Sequence, residues 1–139
     1  MTPDTPPPES ATPSADRAGT VLLVEDDAMI RASAKRTLEL RGYPVLEARD
    51  GEEALRLCAI HHAAIGLILT DLVMPQMNGW AFGEQVGRLY PGIRILYMSG
   101  YTDLVSVFGD KLGPGTAWLR KPFRAEELLK SVREMIPGS

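Results

Sequence analysis

Cysteine is nearly absent: Cys58 stands alone among 139 residues. That excludes a disulfide framework within the chain, and one thiol cannot build a cysteine-based zinc site. A basic excess is missing as well. The net charge is −3 and the pI about 5.4, which argues against direct nucleic-acid binding through the chain's own charge. No apolar stretch approaches the roughly 20 residues needed to span a bilayer. The N-terminus has neither the basic start nor the apolar run of a signal peptide. These absences lead to an expectation of a cytoplasmic protein with no membrane role. There is no internal repeat. The length suits one domain, large enough to bury a core without disulfides or a structural metal.

What is present divides the chain in two. Residues 1–19 hold five of the eleven prolines and no aromatic or branched aliphatic residue. Such a segment cannot bury enough apolar area to offset its ordering entropy and reads as a disordered tail or linker. From Thr20 to residue 137 the texture is that of a folded domain. Val21–Val24, Ile65–Leu69 and, but for Arg94, Ile93–Met98 are continuous apolar runs. Strands apolar on both faces belong to a parallel sheet covered by helices on each side. Weaker strands fit Pro44–Ala48, with the proline tolerated on an edge, and Thr116–Arg120. Between the runs lie helical stripes: Ile30, Ala34 and Leu38 before Gly42; Gly51–Ile60 capped by Asp50 with Glu53 in a capping-box variant; Phe82, Val86 and Leu89; and Leu128, Val132 and Ile136. Residues 102–115 leave room for only a short helix. The alternation predicts an α/β doubly wound sheet of five parallel strands with five helices.

In an open parallel sheet, ligands bind at the carboxyl ends of the strands beside the switch in strand order. The first strand delivers Glu25, Asp26 and Asp27 to that rim, the third Asp71, the fourth Ser99 and the fifth Lys121. Converging carboxylates repel one another unless a cation sits between them, and a hard oxygen-liganded ion such as Mg²⁺ suits them. Such an ion beside a lysine and a hydroxyl is suited to a phosphoryl group.

The motifs VLLVEDD, LILTDLVMPQMNGW, ILYMSGYTD and WLRKPF together resemble those of the response-regulator receiver domain of two-component systems. The resemblance covers the whole folded part and implies strand order 2-1-3-4-5. It implies that Asp71 accepts a phosphoryl group from a histidine kinase or a histidine phosphotransfer protein. Glu25, Asp26, Asp71 and the backbone carbonyl of Val73 would hold Mg²⁺. Lys121 would pair with Asp71 and then with the phosphoryl group, and Ser99 would donate a hydrogen bond to it. The Lys121–Pro122 bond would be cis. Ser99 and Trp118 would form the switch, with Trp118 standing where the family usually carries Tyr or Phe. The side chains of Val73 and Tyr101 would border the path of hydrolytic water. MSGYTD and the Gly-Pro-Gly before the last strand are similar to receivers of hybrid histidine kinases, so the implied contexts are a single-domain regulator or such a receiver. The resemblance implies a signalling domain rather than an enzyme.

Two other classes use similar parts. A haloacid-dehalogenase-type phosphatase also has an Asp nucleophile around Mg²⁺, but its first strand carries Asp-Xaa-Asp and its acidic pair comes last. A flavodoxin-like cofactor binder would need a phosphate loop where Glu25-Asp26-Asp27 repels a bare phosphate. Plain structural roles fit the remaining residues: Asp27 as a helix cap, Cys58 as a buried inert thiol, His61 and His62 at a helix end, Met74 and Met77 as loop packing.

Overall fold

Every β-strand expected from the sequence forms in the computed structural model, which describes residues 19–73, 78–100 and 115–136. They are β1 (Thr20–Val24), β2 (Val45–Ala48), β3 (Ile65–Asp71), β4 (Arg94–Ser99) and β5 (Thr116–Arg120). All pair in parallel, in the order β2-β1-β3-β4-β5. The seven residues of β3 are all buried, which is why that run shows no alternation. Pro44 lies just outside edge strand β2, where its carbonyl accepts from Val21 N–H at 2.9 Å.

Four helices lie among the described residues: α1 (Ala28–Leu40), α2 (Gly51–His61), α3 (Gly79–Leu89) and α4 (Ala125–Met135). The fifth helix expected within 102–115 falls outside them but for Gly115, as do the 1–18 segment, Met74, Met77 and Tyr101. Each observed start has a local cause. Asp27 caps α1 by accepting from Met29 and Ile30 N–H at 2.9 and 3.1 Å. Asp50 accepts from Glu53 N–H at 2.8 Å, while Glu53 reaches back to Arg49 N–H rather than to the cap itself. Asn78 caps α3 through Trp80 N–H at 2.7 Å. Gly42, at φ 89°, ends α1 in a conformation that costs other residues strain.

Two cores cover the two faces of the sheet. Val21, Leu23, Leu67, Leu69 and Met98 pack with Ala34 and Leu38 of α1 and with Leu128 and Val132 of α4. Leu22, Val24, Ile68 and Tyr97 pack with Ala54 and Cys58 of α2 and with Phe82 and Val86 of α3. Leu89 corrects the expected α3 stripe, because it is exposed. The buried face runs Gly79, Phe82, Gly83, Val86 and continues four residues on to Tyr90, which packs on the core in Leu89's place. Among the described residues, no helix is long and apolar enough to cross a membrane.

Candidate functional site

Sheet register assembles the site. Strand order reverses between β1 and β3, so the chain leaves their carboxyl ends in opposite directions and a crevice opens. Val24 pairs with Thr70, so Glu25 and Asp71 follow side by side. Asp71 pairs with Met98, and Ser99 with Arg120. Beyond the paired residues, Leu72 N–H donates to the Met98 carbonyl and Lys121 N–H to the Ser99 carbonyl, both at 2.8 Å. The Lys121–Pro122 bond is cis, as the resemblance implied.

Lys121 Nζ lies 2.7 Å from Glu25 Oε1 and 2.5 Å from Asp71 Oδ1. The second Glu25 oxygen, Oε2, accepts from Asp27 N–H at 3.0 Å. Glu25, Asp71 and Ser99 are buried, whereas Asp26 is exposed. Carboxylate oxygens of Glu25, Asp26 and Asp71 lie within 4.8 Å of one another. Burial, and then the neighbouring Glu25, push the Asp71 carboxyl far above its usual range. Burial opposes ionisation of Glu25 too, but hydrogen bonds with Asp71, Lys121 and the Asp27 amide hold it below the usual value. Burial works against the Lys121 ammonium, and its two acidic partners outweigh that and raise it. One ammonium is therefore shared by two buried acids, with a third acid at the mouth. A hard divalent cation fits this excess of anionic oxygen.

These groups line an open cavity of ≈ 500 Å³ that also includes Val73. Val73 bridges to Asn78 across the loop and is half-exposed. Gly79 packs tightly against the chain leaving β3: its N–H donates to the Leu72 carbonyl at 2.8 Å, and a Cβ there would collide with the Asp71 carbonyl oxygen. The structure thus brings Glu25, Asp26, Asp71, Val73, Ser99 and Lys121 together. It leaves Trp118 outside that cavity, 41% exposed on β5 and paired with buried Tyr97. Asp27 caps α1 while also lining the cavity.

A group the sequence reading missed is Arg31, whose Nη1 donates to the Glu25 carbonyl at 2.7 Å. The i, i+4, i+8 series Asp27, Arg31, Lys35 on α1 was its available signal.

A family model for the response regulator receiver domain matches residues 21–133. The chain belongs to that family. Sensor kinase CckA of Brucella abortus is 36% identical over 86% of this chain, which spans 13% of that protein. The response regulator receiver protein CpdR of Brucella abortus is 30% identical over 84% of the chain and 95% of its own length. CpxR of Escherichia coli K12, a transcriptional regulatory protein, is 33% identical over 86% of the chain and 50% of its own length. Among solved structures, the receiver domain of the hybrid histidine kinase CckA superposes with a TM-score of 0.73 at 33% identity, covering 86% of this chain and 100% of that one. Chemotaxis protein CheY4 of Vibrio cholerae gives a TM-score of 0.75 at 34% identity, covering 84% and 98%. The receiver is a signalling domain of two-component systems, and the family match leaves the haloacid-dehalogenase alternative without support.

Proposed function

We propose that this receiver takes a phosphoryl group onto Asp71 from a histidine kinase or histidine phosphotransfer protein, with Mg²⁺ held by Glu25, Asp26, Asp71 and the Val73 carbonyl. The observation that carries the reading is the buried Asp71 carboxyl facing Lys121 at 2.5 Å beside two further carboxylates. Bound there, Mg²⁺ would offset the negative charge of the acids and of the incoming phosphoryl group.

Asp71 contributes the nucleophilic oxygen. As its O–P bond forms, the P–N bond of the donor phosphohistidine breaks and the imidazole nitrogen keeps the electron pair. Lys121 favours the carboxylate form of Asp71 against the effect of burial and holds it in place at rest, then transfers its hydrogen bond to a phosphoryl oxygen. Ser99 donates to another phosphoryl oxygen. Ser99 and Trp118 are the groups that would report the new charge to partners, with Trp118 moving from its exposed position on β5. The net negative charge of the chain disfavours a nucleic-acid backbone, which supports an output of this domain through protein contacts. A phosphohistidine donor of that kind supports a cytoplasmic location for this domain. Contexts that fit include a single-domain regulator and a receiver of a hybrid kinase.

The test is labelling by a small phosphodonor such as acetyl phosphate. Wild type should gain one phosphoryl group in the presence of Mg²⁺ and none in EDTA, and Lys121→Met should be labelled poorly. Full labelling in EDTA would remove the metal from the reading, and full labelling of Lys121→Met would remove the lysine.

A further inference from the structure

Glu25 has its side chain in the acid cluster, but its backbone is tied elsewhere. Its N–H donates to the Ala48 carbonyl at 3.0 Å, one step beyond the last paired residues of β1 and β2. Among the described residues its carbonyl has no strand partner to continue with, and it accepts from Arg31 Nη1 at 2.7 Å. The same guanidinium donates through Nε to Glu47 Oε1 at 3.3 Å. Glu47 sits on β2 next to Ala48, and its other oxygen accepts from Lys35 Nζ at 2.8 Å. Both backbone groups of Glu25 are thereby referred to adjacent residues of one edge strand. The Arg31 side chain is 17% exposed, and its planar fork holds two acceptors at once.

We infer that Arg31 is a positioning residue for the divalent-cation site, acting through the Glu25 carbonyl. The inference rests on the phosphoacceptor reading above. The Glu25–Asp26 peptide joins two of the three clustered carboxylates, so fixing its carbonyl fixes how both side chains leave the turn. With that bond gone, the turn pivots on the Asp27 cap, and exposed Asp26 has no other described contact to hold it over Asp71. The cation would then bind a less organised set of oxygens.

The sign of the effect separates this role from simple electrostatics. Arg31 carries positive charge close to a cation site, so removing it should tighten Mg²⁺ binding if charge alone matters. Lost positioning should weaken binding. Lys35 supplies the control, since it touches Glu47 without reaching Glu25.

The experiment titrates MgCl₂ into wild type, Arg31→Met, Arg31→Lys and Lys35→Met, following the amide resonance of Asp27. Arg31→Met should raise the apparent Kd for Mg²⁺ roughly tenfold, in the manner of lost outer-shell support. Arg31→Lys, with one compact donor for two acceptors, should fall in between. Lys35→Met should bind Mg²⁺ as wild type does or slightly tighter. Labelling by acetyl phosphate should need more Mg²⁺ for half-maximal rate in Arg31→Met and reach the wild-type rate at saturation. Unchanged or tighter binding by Arg31→Met would overturn the inference, as would equal weakening in Arg31→Met and Lys35→Met. If Arg31→Met does not fold, Arg31→Lys decides, and a change of less than about twofold counts against the inference. Failure of wild type to label would sink the phosphoacceptor reading while leaving the Mg²⁺ titration able to judge Arg31.

Discussion

Helix α3 carries three glycines, at 79, 83 and 87, and two of them should respond to alanine with opposite signs. A glycine inside a helix costs about 1 kcal/mol relative to alanine. At Gly87 an added Cβ meets nothing within 4 Å, so Gly87→Ala should stabilise the fold by roughly 0.5–1 kcal/mol. At Gly83 the Cβ would collide with the Tyr97 hydroxyl and lie 2.8 Å from Tyr97 Cζ. Tyr97 cannot swing away cheaply, because it is 2% exposed and its ring stacks on Trp80 with centroids 6.0 Å apart. Overpacking of this kind costs about 1–3 kcal/mol, which offsets the propensity gain and more. The two variants should therefore differ by about 2 kcal/mol in urea unfolding at neutral pH, read as a shift in midpoint with unchanged slope. Adding Tyr97→Phe to Gly83→Ala removes the colliding oxygen and should recover part of the loss. Equal stabilisation by both alanines would refute the close approach of α3 to β4. So would a penalty at Gly83 that Tyr97→Phe leaves whole.

Millimolar Mg²⁺ should raise the melting temperature by mass action, by about 1.4 kcal/mol of stability at ten times the Kd, and Asp26→Asn should blunt the response in the same thermal melt. Burial pushes the Cys58 thiol up to about 11 from 9.0, so the unfolded chain releases that proton first and stability should fall between pH 9 and 11. The slope is at most about 1.4 kcal/mol per pH unit, and denaturant titrations of Cys58→Ala should show a shallower decline. Val73 is apolar, half-exposed and on the cavity wall, where it cannot orient a water. Val73→Asn should shorten the half-life of the phosphorylated protein several-fold, and an unchanged decay would show that water access at this position does not set the lifetime.

The parts of the fold legible in the sequence were those with a local cause. β1, β3 and β4 announce themselves as apolar runs because both of their faces are covered. Asp27 and Asp50 precede the first helical turn and act as caps there. The acids, the hydroxyl and the lysine were legible because strand ends in a parallel sheet share a rim. What escaped depended on contacts between elements distant in sequence. The Asn78 cap is the local exception, and Leu89 has the right period for a buried stripe but is exposed while Tyr90 takes that place on the core. The Arg31–Glu47 pair needs the knowledge that α1 crosses beside β2. Gly83 reads as a weak helix former until Tyr97 is placed over it.

The proposed phosphoacceptor, Asp71, can be identified chemically. Acetyl phosphate and Mg²⁺ followed by borohydride would reduce an aspartyl phosphate to homoserine, and peptide mass mapping would locate it. Homoserine is expected at position 71 alone in wild type, with no reduced residue in Asp71→Asn. Homoserine at Asp26 or any other aspartate in wild type, with position 71 unmodified, would contradict the assignment of Asp71.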